Sequence, residues 1–204
     1  MDVYRDLKVY GTQKQLDNFI SHLKSNLSAG WDFVKTSQDT DSTMYEFLYQ
    51  GNKTLPSVKL WMTDHEADTL YVNNVLPIVG NELLQVDYNR IVENFYQTNV
   101  SPIATELGLQ SILTPDQKTL DDWLSMDTAA KLRQFSNLAN KSGLHPLDQK
   151  RWFAFLVAVH QEHTEFNATI LHHWLAENGW PEEQMWKLVL EYEFAQELLD
   201  FIKY

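Results

Sequence analysis

The chain has 204 residues, no cysteine and a formal net charge of −12, a length that suits one generous domain or two small ones, each with a proper core. Without cysteine, disulfides, Cys-based zinc sites, iron–sulfur ligation and thiol catalysis are all excluded. At 44% hydrophobic and 13% aromatic residues the composition is globular, and its acidic excess is spread evenly, 14 acidic and 8 basic residues in 1–113 and the same again in 114–204.

With no basic arm, the chain would repel a polyanion, so nucleic-acid binding is not expected. The opening "MDVYRDLKVYG" lacks the basic and apolar regions of a signal peptide. The strongly apolar run "FAFLVAVH" is far shorter than the roughly 20 residues of a membrane span. A soluble cytoplasmic protein with no membrane partner is the expectation.

In chain order, "YRDLKVYG" sets Tyr4, Asp6 and Lys8 on one side and Leu7 and Val9 on the other, the alternation of a half-buried strand. Gly11-Thr12 offers a turn and an N-cap. Leu16, Phe19, Ile20, Leu23 and Leu27 then recur at three and four, which predicts an amphipathic helix. "WDFVKTS", "MYEFLYQG", "PSVKLWMT" and "TLYVNNVLP" read as four short strands, with "QDTDST" and "TDHEAD" as hairpin turns. Short connections favour antiparallel neighbours; only the first helix is long enough for a parallel crossover. Asn73 and Asn74 are poor strand formers and mark a bulge or a functional strand end.

From residue 84 the pattern turns helical. Leu84, Tyr88, Ile91 and Phe95 form one stripe, and "TNVSPIATELGLQSILTPDQ" reads as a looser connection. A short helix at "KTLDDWLS" follows, then "DTAAKLRQFSNLAN", a helix from Pro146, "FNATILHHWLAENG", and a last helix over "PEEQMWKLVLEYEFAQELLDFIKY". Trp123, Trp152, Trp174, Trp180 and Trp186 lie here and are expected to pack between helices. The predicted fold is therefore α+β: an N-terminal antiparallel sheet of four to five strands with a covering helix, followed by a helical C-terminal half. The expected halves are 1–113 and 114–204, which one compact domain could also contain.

Reactive side chains concentrate in "SGLHPLDQKRWFAFLVAVHQEH", residues 142–163. Gly143 to stop one helix, Pro146 at the next first turn and Asp148 near its positive end are the grammar of a helix start. His145, Lys150 and Arg151 are left over, and a helix N-terminus with His and Arg can receive an anion or an acidic segment of a partner. At the other end His160 and His163, at i,i+3, could share a Zn-type site with His173 from the next helix. The spacing matches no H-E-x-x-H signature, and cationic histidines near a helix end are favourable without any metal.

Asp121-Asp122 and Glu191/Glu193 are carboxylate pairs, but helical neighbours point different ways. No nucleophile elbow, phosphate loop or dinucleotide fingerprint is present. The leading functional expectation is a non-catalytic interaction protein, an acidic inhibitor, immunity-type or antitoxin-type partner of another protein, with a homo-oligomer compatible with the same features. The alternative is a metal-assisted hydrolase using the histidine cluster of the C-terminal helices.

Overall fold

The computed structural model describes residues 1–38, 42–64, 68–80, 82–143 and 145–202. The chain divides into two compact units, one of residues 3–116 and one of residues 1–2 with 117–204. The α+β prediction holds: an antiparallel sheet occupies the first half, and the second is helical.

The sheet has six strands in the order β2-β3-β4-β5-β1-β6: β1 Leu7–Tyr10, β2 Trp31–Gln38, β3 Thr43–Tyr49, β4 Val58–Thr63, β5 Thr69–Pro77 and β6 Gln110–Leu113. Strands β2 to β5 form a meander, and β1 inserts between β5 and β6. Helix α1 (Gln13–Ser25) carries the chain from β1 across to β2 at the far edge. Its start is closed by Thr12, whose N–H and hydroxyl donate to Gln15 Oε1 at 3.0 and 2.8 Å. The two turns expected at 38–43 and 63–68 fall largely outside the described residues.

One sheet face is apolar by strand alternation: Val9, Phe47, Leu60 and Leu70 point to it. Leu16, Phe19 and Leu23 of α1 and Ile91, Val92 and Phe95 of α2 (Gln85–Phe95) complete that core. The bulge expected at Asn73-Asn74 is present, since Met62 pairs with Val72 but Trp61 with Asn74. The extra residue resets the alternation, so Leu70, Val72 and Val75 are all buried while both asparagines are exposed. Asn74 Oδ1 accepts from the Val75 N–H at 2.8 Å.

Residues 98–117, expected as a loose connection, are instead ordered. A π-helical turn, Tyr96–Val100, continues α2 into α3 (Ser101–Glu106), and β6 follows as the sixth strand. Pro102 would clash with the carbonyl of Thr98 in a regular α-helix, and the wider π turn sits at that place. Asn89, Asn94 and Asn99 then grip neighbouring chain: Asn89 bonds the backbone of Val3 and Arg5, Asn94 accepts from Trp31 Nε1, and Asn99 accepts from the Ser28 N–H.

In the second unit the expected short helix at 118–125 is a 3-10 turn, Leu120–Asp122. Four helices follow: α4 Met126–Leu138, α5 Pro146–Glu162, α6 Ala168–Glu177 and α7 Glu182–Ile202. Their core stacks Phe135 on Trp152 and Trp180, and Trp180 Nε1 donates to Ser136 Oγ at 2.9 Å. Trp152, Trp174 and Trp180 are buried as expected and Trp123 is half-buried, whereas Trp186 is 53% exposed.

Candidate functional site

The residues of the α5 start are tied together around Asp148. His145 is the N-cap: its Nδ1 accepts from the Leu147 N–H at 3.2 Å, and its own N–H donates to Asp148 Oδ2 at 3.1 Å. Arg151 Nη1 pairs with Asp148 Oδ1 at 3.0 Å, and the Asn140 N–H donates to the same carboxylate. These backbone N–H groups, joined by the Arg151 charge, hold Asp148 below the ordinary aspartate range. The anion at this helix start is thus the chain's own buried carboxylate. Lys150 stands exposed on the next turn.

The histidines do not gather. His160 is buried between α5 and α7, with Nδ1 3.2 Å from Gln196 Oε1 and Nε2 3.8 Å from Asp200 Oδ1. His163 ends α5 in the left-handed conformation, φ 49°, exposed, its ring centroid 6.1 Å from that of His160. His173 is exposed on α6, and its neighbour His172 packs on Trp186 with ring centroids 4.8 Å apart. Among the described residues, no three His, Asp or Glu side chains are grouped so as to hold a metal ion.

The Asp121-Asp122 pair has structural partners of its own. Asp121 takes both Arg133 nitrogens at 2.9 and 2.6 Å, and Asp122 caps the 3-10 turn by accepting the Thr119 N–H at 2.6 Å. The arginine lowers the first pKa and the N–H the second, so both carboxyls move in the same direction. Acid/base division of labour needs them pushed apart. Glu162 accepts from Ser125 and Thr128 at the start of α4, which fixes it as a cap for a neighbouring helix.

What the helical unit leaves open is apolar. Along α7, Met185, Leu188, Val189 and Tyr192 face the core. A second stripe, Trp186, Leu190, Phe194, Leu198 and Phe201, faces outward at steps of three and four. On α5, Phe153 and Val157 are likewise exposed beside buried Trp152 and Leu156. The exposures reach 56% for Phe153, 65% for Phe194 and 80% for Phe201, values at which a large apolar side chain has found no cover.

Between the two helices lies a groove of about 460 Å³, walled by Phe153, Val157, Phe194 and Leu198 and floored by Leu156 and Ala195. Phe155 meets Tyr192, Leu156 meets Gln196 and His160 meets Gln196 and Asp200, so α5 and α7 run in the same sense where they touch. Exposed apolar surface rimmed by charge is found at protein, membrane and small-ligand contacts alike. Of the residues singled out in the sequence, Glu191 lines this groove, marked there only as one of a carboxylate pair. The signal was nonetheless present in "MWKLVLEYEFAQELLDF", which is apolar on two faces where a surface helix needs only one.

No protein-family model matches the chain, and no curated protein matches it at a significant level.

Proposed function

We propose that this protein is a non-catalytic interaction protein that works by docking on another protein, in the manner of an acidic inhibitor, immunity protein or antitoxin. The observation that carries the reading is the outward stripe of α7 together with Phe153 and Val157 of α5. Desolvating such aromatic and aliphatic side chains supplies the main driving force of protein association. The net charge of −12 suits a basic partner surface, because complementary charge speeds encounter and suppresses wrong partners. No helix of the described residues is long and apolar enough to cross a membrane. The proposed place of action is the cytoplasm.

The test is a photo-reactive phenylalanine at position 194 or 190 in the native host, with position 112 on β6 of the sheet unit as control. A discrete adduct with a second protein, formed from 194 and 190 but not from 112, is the expected result. Adducts of equal yield from all three positions, or none from 194 and 190, would remove the proposal.

A further inference from the structure

Resting on that reading, we infer that the occupant of the α5–α7 groove is an amphipathic α-helix of the partner, flanked by lysine or arginine. Three observations set its chemistry.

The first is backbone accounting. Both walls are helices, whose N–H and C=O groups are spent on their own turns, so the groove offers side chains and no free backbone. An extended segment laid there would bury its peptide groups without partners. A helix satisfies its own backbone and presents only side chains, and its ridge fits between two helices that run in the same sense. On α7 the groove spans Glu191 to Leu199, eight steps or about 12 Å, which matches an incoming helix of two turns or more.

The second observation is charge. Past Lys187, the charged residues of α7 among the described residues are Glu191, Glu193, Glu197 and Asp200. Glu191 lies on the groove itself, and Glu193 lines the smaller hollow on the other side of the stripe, beside His172 and Trp186. Among the described residues, Glu191, Glu193 and Glu197 form no ion pair, whereas Lys187 is already held by Glu183 at 2.7 Å. Basic flanks on the partner complete this rim.

The third is what the rim does to a second copy of this chain. A two-fold, antiparallel pairing of α7 centred on Phe194 sets Glu191 of one copy opposite Glu197 of the other. A parallel pairing sets each glutamate against itself. Like charges so placed oppose association, and the same carboxylates disfavour an anionic lipid surface.

The experiment uses the whole chain and two synthetic 16-residue helical peptides that share one leucine face, one with lysine on the flanks and one with glutamate. Titration by tryptophan fluorescence is paired with light scattering of the protein alone. The lysine peptide is expected to bind at least about tenfold tighter than the glutamate peptide, and to weaken as salt rises from about 0.05 to 0.5 M. Phe194→Ala with Leu198→Ala is expected to weaken it by about tenfold or more. Glu191→Gln with Glu193→Gln and Glu197→Gln is expected to remove most of the salt dependence. Asp17→Asn with Glu106→Gln, on the sheet unit, serves as the control and leaves binding unchanged. Circular dichroism confirms that each variant is folded.

Equal affinity for the two peptides, or equal losses from the groove and control variants, would overturn the inference. So would a dimer of the protein alone that Leu198→Ala dissolves, since the occupant would then be a second copy. A partner adduct at position 194 without peptide preference would leave the interaction function standing and remove only its helical, basic occupant. Peptide preference without any adduct would do the reverse.

Discussion

His145 and His163 bracket α5 and do opposite things to its stability. His145 supplies the N-cap acceptor to Leu147, in a box closed by Asp148. Loss of an N-cap acceptor costs about 1 kcal/mol, and Asn serves the position as well as any residue. His163 sits at φ 49° and ψ 47°, where a side-chain Cβ crowds the backbone and glycine does not. His145→Ala is therefore expected to destabilise the helical unit by about 1 kcal/mol and His145→Asn to leave it unchanged. His163→Gly is expected to stabilise it by up to about 1 kcal/mol. Urea unfolding followed at 222 nm measures all three. A destabilised His163→Gly, or an unaffected His145→Ala, would contradict these capping roles.

At the scale of elements, the bulge of β5 makes a sharp prediction. Deleting Asn73 leaves Leu70, Val72 and Val75 on the core side and restores an unbroken ladder with β4, so the chain is expected to fold with its register intact. Deleting Tyr71 instead makes Leu70 and Val72 adjacent and turns one of these buried side chains to the open face. That variant is expected to lose the cooperative unfolding transition that the first retains. Equal damage from the two deletions would mean that the bulge does not set the phase.

The same strand shows what sequence alone could reveal. Two asparagines inside an apolar run announced the irregularity, and period-two alternation announced the strand around them. β6 was invisible for an equally physical reason. "QSIL" has four residues at a sheet edge with no clean alternation, and its extended state comes from backbone bonds to β1 about a hundred residues earlier. The helix over 101–106 is hidden for another reason, since a proline after a π turn continues a helix instead of ending it. The groove was half legible: both stripes of α7 could be counted in the sequence. Which of the two finds a partner inside the chain depends on where α5 lies, and periodicity holds no such information.

For the whole molecule, two electrostatic terms of opposite sign govern the response to acid. The net charge of −12 resists compaction at neutral pH, and this repulsion fades as the pH falls toward the isoelectric point near 4.9. Against it stand carboxylates that folding makes stronger acids. A hydrogen bond from Lys59 lowers Glu46 on β3, the backbone N–H of His145 lowers Asp148, and hydrogen bonds from Ser125 and Thr128 lower Glu162 against the opposing effect of its burial. A carboxyl whose pKa is lower in the folded than in the unfolded chain stabilises fully above its unfolded value, and that contribution is lost as the pH falls through the folded one. Stability is thus expected to hold or rise from pH 7 to about 5 and to fall steeply below about 4.5, where unfolded carboxylates bind protons first. The helical unit holds Asp148 and Glu162, so Asp148→Asn with Glu162→Gln is expected to lower its urea midpoint at pH 7 and flatten its decline between about pH 4.5 and 3. Midpoints at 222 nm across that range decide the matter. An acid limb as steep in the double variant as in the wild type would place the linked protons on other carboxylates and leave these two as caps without a role in acid unfolding.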